Sequence, residues 1–423
     1  MQKSPKLLEK LIFVLLGLSL AGCGTFAVKV EVLPPAVTAT QPPVALASPQ
    51  PPPTQTLTQP EPTATLPAAA TPTEGVPTAE PITLTALQME DAQHGWGIES
   101  AGRVVKTTDG GGLWWDVTPL QGKFERHSLF ALNPQTAWVA PAQLDLRKIV
   151  WRTQDGGQTW EPSQPLSLGS DKYSPLSLQF PDARHGWLLV LAEQENQNRQ
   201  VLLFRSENGG VDWAPVELNQ GALQSYLPPT MTNMAFFDGQ TGWLGGWWGK
   251  DDPARWLTVT TSNGGAQWGT EPLQLPVQKG TQCDGHSIPE MAPGSLAVEM
   301  TCTIAKDPKY LFHRAFYLST SGEPAWHSWV IPGDLLGVSF LNAKQGWMLV
   351  STDQPQLNQV MSTQDGGGSW RQVSVVAWKQ AQFDFVDAKT GWAIVGNGFA
   401  TALVRTENGG QVWVQVRPAL VKP

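Results

Sequence analysis

One eight-residue pattern constrains this chain more than any other feature: a hydroxyl residue, any residue, Asp or Asn, Gly, Gly, two spacers and Trp. The first copy is Thr107-Thr108-Asp109-Gly110-Gly111-Gly112-Leu113-Trp114. Further copies centre on Asp155, Asn208, Asn263, Asp365 and Asn408 and end at Trp160, Trp213, Trp268, Trp370 and Trp413. A worn seventh copy runs from Ser319 to Trp326, with Ser321 in place of the acid and Glu323 in place of the second Gly. The closing Trp residues recur every 43 to 58 residues. A period of that size means a repeat architecture in which each unit is one supersecondary structure.

The pattern has a mechanical meaning. Asp or Asn in a tight turn accepts hydrogen bonds from backbone N–H groups just ahead of it. The Gly pair permits positive φ, where a Cβ would clash. The Thr or Ser hydroxyl bonds within the same turn, and the Trp buries a large ring while its N–H seeks an acceptor. Each box therefore pins a β-hairpin to the core. A calcium loop is the competing reading, but each box offers one carboxylate or amide where calcium wants about six to eight oxygens. No His-rich or Cys-rich metal spacing is present, and no cofactor is called for.

A second signal precedes most boxes: an apolar strand, a turn with Asp or Asn, then Gly-Trp or Ala-Trp. Phe236-Phe237-Asp238-Gly239-Gln240-Thr241-Gly242-Trp243 is one example, and Asp387 to Trp392 is another. Short runs rich in β-branched and aromatic residues between such turns read as strands. Each unit then has four strands, a to d. In the first unit these fall near 83–90, 96–100, 103–108 and 114–118. The chain holds 20 Trp, and the two repeated positions account for most of them. Seven four-stranded antiparallel units close naturally into a β-propeller, which leaves only short protected edges. A solenoid would need distinct polar caps, and none is visible. The fold class is all-β: a seven-bladed propeller spanning 83–423.

The N-terminal part is different in kind. Residues 1–23 read as an export signal, with Lys3, Lys6 and Lys10 before the short apolar run Leu11–Leu20. That run is too brief to span a bilayer comfortably. Residues 24–82 are rich in Pro, Thr, Ala and Gln and carry too little apolar surface to offset the entropy of ordering. They read as a disordered stalk, extended at about 3.1 Å per residue where Pro-rich. Thr with Pro fits a glycosylated stalk as well as a plain spacer.

Charge and composition narrow the partners. The chain has 28 Lys plus Arg against 36 Asp plus Glu, a net charge of −8. Nucleic acid calls for a basic stripe or patch, so it is excluded as a partner. Variation among the units concentrates in the b–c loops, at 141–148, 193–200, 246–255 and 353–359. Loops on a rigid scaffold carry function. The 246–255 loop holds the candidate partner-binding set: Trp247, Trp248, Lys250, Asp251, Asp252 and Arg255. Aromatic anchors among charges suit a protein or a sugar, and the same rings could instead cover the edge of a sheet. Cys283 and Cys302 lie in the worn unit. In an exported protein they are a disulfide candidate, with two buried free thiols as the alternative. No residues form a legible catalytic set.

Two resemblances follow from these residues. Leu20-Ala21-Gly22-Cys23 resembles the lipobox of bacterial lipoproteins, which implies lipidation at Cys23 and a protein exported and lipid-anchored to the bacterial membrane, at the cell surface or in the periplasm. The boxes resemble the Asp-box, or BNR, repeat of sialidases and related propellers. Combined with Gly-Trp they look most like the propeller family of photosystem II assembly and stability factors. That likeness covers 83–423 and implies a non-catalytic, monomeric binding or assembly factor, with a glycan-active hydrolase as the alternative. The sialidase parts are missing: no Arg-Ile-Pro occurs, and Tyr is confined to Tyr173, Tyr226, Tyr310 and Tyr317.

Overall fold

The structure is a computed structural model that describes residues 79–119, 122–141, 149–169, 172–193, 199–218, 231–248, 255–271, 281–287, 296–304, 307–319, 325–354, 356–397 and 400–422. Among these residues the secondary structure is strand and turn, with no helix. Seven sheets form in chain order, at 84–116, 129–162, 172–216, 231–271, 281–331, 335–376 and 380–416. Six have four strands in sequence order, and the first has the same four plus two more at its outer edge. Pairing within each four is antiparallel throughout. The first sheet's strands, Leu84–Met89, Gly95–Glu99, Val104–Thr107 and Leu113–Asp116, lie within three residues of the sequence reading.

The boxes fold as their residues dictate. In six of them the hydroxyl of Thr107, Thr153, Ser206, Thr261, Thr363 or Thr406 accepts from the N–H of the second Gly at 2.8–3.0 Å. The same hydroxyls bond the acid or amide oxygen two residues on. Both glycines of each pair have positive φ, a region that a side chain rarely tolerates. The first Gly's N–H donates back to the a–b turn of its own sheet, as from Gly110 to Gln93 and from Gly409 to Lys389. Boxes and a–b turns therefore share one rim.

The Gly of Gly-Trp has a packing reason. The residue ending strand a lies across it, so a Cβ on Gly242 would meet the Phe236 ring at 2.1 Å and one on Gly391 the Phe385 ring at 2.4 Å. The other face of that ring stacks on the Gly-Trp Trp of the preceding sheet. Trp138–Phe180, Trp187–Phe236 and Trp347–Phe385 are parallel stacks at 3.5–3.7 Å. The core is thus a set of seams between sheets, each buried from both sides.

The box Trp residues pack more unevenly than a uniform staple would. Trp114, Trp268 and Trp370 are buried, whereas Trp160, Trp213 and Trp413 are half-buried. The Trp326 side chain lies outside the described residues, as do residues 1–78 with Cys23. Two further strands modify the expected ending. Ala419–Val421 pairs in parallel with Leu113–Trp115, and Ala79–Pro81 pairs antiparallel with Ala419–Val421. The first sheet therefore takes in three residues that composition assigns to the stalk.

Candidate functional site

The box rim gathers the polar side chains that could meet a ligand, and most of them are committed to joints between sheets. Opposite each Gly-Trp Trp, on strand c, stands the residue that immediately precedes the box hydroxyl. Four sheets place a cation there: Lys106 opposite Trp96, Arg152 opposite Trp138, Arg205 opposite Trp187 and Arg405 opposite Trp392. Lys106, Arg205 and Arg405 lie over their Trp rings at 5.1–5.3 Å, a favourable cation–π arrangement. Three of the cations reach a box carbonyl of the next sheet: Lys106 to Gly156, Arg152 to Gly209 and Arg205 to Gly264, at 3.3–3.5 Å. Acids hold the three guanidiniums from outside, in the pairs Arg152–Glu161, Arg205–Glu207 and Arg405–Glu407. Three of the indole N–H groups use the equivalent first-Gly carbonyls. Trp138 donates to Gly209, Trp347 to Gly409 and Trp392 to Gly110.

The boxes are therefore sockets as well as hairpin staples. Sequence reasoning missed this second role. Its signal was the repeated cation one residue before the box.

The sixth sheet departs from the rule. Ser362 stands opposite Trp347 where four sheets carry Lys or Arg, and the fourth sheet likewise has a short hydroxyl, Thr260, opposite Trp243. A cavity of about 460 Å³ opens there between the sixth and seventh sheets, lined by Trp347, Ser362, Arg371, Lys389, Glu407 and Gly409 among others. Glu407 already pairs with Arg405 at 3.1 Å.

A second relation recurs deeper in the seams. Gln88 clasps Ala131 of the second sheet, donating to its carbonyl and accepting from its N–H. Gln179 does the same to Phe236 of the fourth sheet, at 2.8 Å both ways. At the seam between the seventh and first sheets the corresponding residue is Asp384, which accepts from the Met89 N–H at 2.5 Å. Burial pushes the Asp384 carboxyl up to about 7; part of the side chain still meets solvent, so water tempers the shift. Burial also pushes the adjacent Glu90 up to about 8, with the charges of Asp384 and Asp91 adding to it. Raised carboxyl pKa values often mark catalytic acids. Here they sit inside a joint.

The box acids are spent on their own turns. Asp109 Oδ1 accepts from the N–H groups of Gly112 and Leu113. Asp155 is held down at about 2 by the Thr159 hydroxyl and N–H. Asn208, Asn263, Asp365 and Asn408 each accept from the N–H four residues on. Among the described residues no group of three His, Cys, Asp or Glu side chains lies close enough to hold a metal ion.

The sequence-derived partner loop falls largely outside the described residues. Lys250, Asp251 and Asp252 are not described, and neither are the side chains of Trp247, Trp248 and Arg255. The backbone corrects the loop's extent. Trp247 and Trp248 belong to strand Gly242–Trp248 and pair with Trp256 and Arg255 of the next strand. Residues 249–254, between the two strands, lie outside the described residues. In the fifth sheet Cys283 stands directly opposite Cys302 across two antiparallel strands.

No protein-family profile matches the chain, and no curated protein matches it. Solved structures do. YCF48 from Cyanidioschyzon merolae is 15% identical over 80% of this chain and 98% of its own, with a TM-score of 0.46. YCF48 bound to D1 peptide is 16% identical over 79% and 92%, with a TM-score of 0.45. A GH74 xyloglucanase from Xanthomonas campestris is 11% identical over 81% of this chain and 54% of its own, with a TM-score of 0.48.

Proposed function

We propose that this chain is an exported lipoprotein whose seven sheets act as the blades of one closed propeller and serve as a non-catalytic binding platform. Cys23 carries the lipid, residues 24–78 form the stalk and 79–423 form the platform. The partner is a protein or a polysaccharide. One observation supports this reading above the others. Most rim cations and the buried acids of the seams are engaged in holding sheets together, while the cavity beside Ser362 is also lined by Arg371, Gln364 and Gln411, which lie outside that bonding pattern.

Two measurements test it together. Cys23→Ser should move the protein from the membrane fraction to the soluble fraction of the expressing cells. The purified wild-type chain should retain a partner without consuming it. New reducing ends or unsaturated sugars released from a polysaccharide would replace the platform with an enzyme, and an unchanged membrane fraction would remove the anchor.

A further inference from the structure

We propose that the cavity between the sixth and seventh sheets binds the carboxylate of a uronic acid residue in a polysaccharide. The proposal rests on the platform reading and names the ligand class of one of its sites.

The cavity is a joint with its internal plug missing. In four sheets a Lys or Arg fills the space between the Gly-Trp ring and the next sheet's box. Ser362 is too short to do so, and Trp347 and Gly409 line the space instead. Trp347 still stacks on Phe385 and still donates to Gly409, so the seam holds without the plug.

The charges around the cavity select the ligand's sign. Arg371, next to Ser362 across the sheet, makes no side-chain hydrogen bond or ion pair among the described residues. Lys389 enters from the a–b turn of the seventh sheet. Glu407 is the acid on the wall, and Arg405 already balances it. Two cations therefore face the space, with Glu407 the acid on its wall and Asp387 beside Lys389 in the same turn. A guanidinium offers a fork that fits a carboxylate in bidentate fashion.

The neutral groups select the rest of the ligand. Ser362, Gln364 and Gln411 line the same space, and each can both donate and accept. Sugar hydroxyls also do both. The volume exceeds what a lone carboxylate would fill and falls in the range of small-ligand sites, about 300–1,000 Å³. A carboxylated sugar satisfies both halves of the wall.

The test uses the full chain, purified in detergent and titrated by calorimetry with three probes: a uronate trisaccharide, its carboxyl-reduced counterpart and a tetraglutamate peptide. The uronate should bind; the carboxyl-reduced sugar, which loses the charge-assisted contact, should bind at least about tenfold more weakly, and the peptide, which keeps the charge but lacks the sugar hydroxyls, should bind more weakly than the uronate. Arg371→Gln should weaken uronate binding by about 10- to 100-fold. Ser362→Arg should restore the plug and abolish binding while leaving the melting temperature equal or higher, since four sister sheets house a cation at this point. Equal binding of the reduced sugar, tighter binding of the peptide, or no binding of uronate would each overturn the proposal. Undiminished uronate binding in both variants would overturn this cavity as the site and leave the platform reading standing.

Discussion

Trp392 donates its indole N–H to the Gly110 carbonyl at 2.9 Å across 282 residues of sequence. The bond joins the seventh sheet to the first box. It is the same bond that Trp138 makes to Gly209 between the second and third sheets and Trp347 to Gly409 between the sixth and seventh. The joint between the last sheet and the first uses the same chemistry as joints between neighbours in sequence.

Trp392→Phe should therefore cost about 1–3 kcal/mol, because it leaves a buried carbonyl without its donor and trims the packed ring. Trp96→Phe should cost less, since that indole N–H makes a longer bond, 3.3 Å, to Asn133. Urea unfolding of the two variants checks the ranking. Equal losses would show that the ring packing alone carries the seam.

The seam at Asp384 predicts a pH dependence. Both Asp384 and Glu90 have carboxyl pKa values raised on folding, to about 7 and about 8. The folded state then holds protons that the unfolded chain has released. Stability from this site is full below about pH 4, near the unfolded values, and is lost as pH climbs through 7 to 8. Asp384→Asn supplies the amide that Gln88 and Gln179 use in the corresponding seams. It should raise the melting temperature near pH 8 and flatten its decline between about pH 5 and 8. Thermal unfolding across pH decides, and an unchanged slope would place the titration elsewhere.

Close backbone approach predicts an intolerant glycine. A Cβ on Gly337 would lie 2.0 Å from the Ala381 carbonyl oxygen of the next sheet. Gly337→Ala should destabilise by about 1–3 kcal/mol or more, because a backbone atom cannot rotate away. Gly269→Ala, whose nearest neighbour would be the Thr260 hydroxyl at 3.7 Å, is the control. Similar unfolding midpoints for the two would contradict the seam geometry.

The register of the fifth sheet predicts the state of its thiols. Directly opposed residues on antiparallel strands have Cα atoms about 4.5–5.5 Å apart, within the range a disulfide spans. Protein exported to an oxidising compartment should resist thiol labelling at Cys283 and Cys302 until it is reduced. Reduction should lower stability by about 3 kcal/mol. Quantitative labelling without reductant would establish free thiols.

The sheets were legible because turn chemistry is local. Asp109 with Gly110 and Gly111 specifies a hairpin whatever surrounds it, and seven copies specify seven hairpins. The seams were less legible. Arg205 reads as a surface cation until the register sets it over Trp187 and against Gly264. Asp384 reads as an ordinary strand acid until the first sheet brings the Met89 N–H against it. Ser362, like Thr260 opposite Trp243, stands out only once Lys106, Arg152, Arg205 and Arg405 define what four other sheets place there. The tail strand Ala419–Val421 was missed because its partner, Leu113–Trp115, lies at the other end of the described chain.

That added pair of strands governs how the domain would bear a load. Tension arriving through residues before Ala79 acts first on Ala79–Pro81, which is laid against Ala419–Val421 and tied to it through Glu80 and Lys422 at 2.9 Å. Neither strand is among the four that recur in every sheet. A pull on the chain before Ala79 would peel off these outer strips like a sacrificial clasp, and the four strands behind them would stay paired.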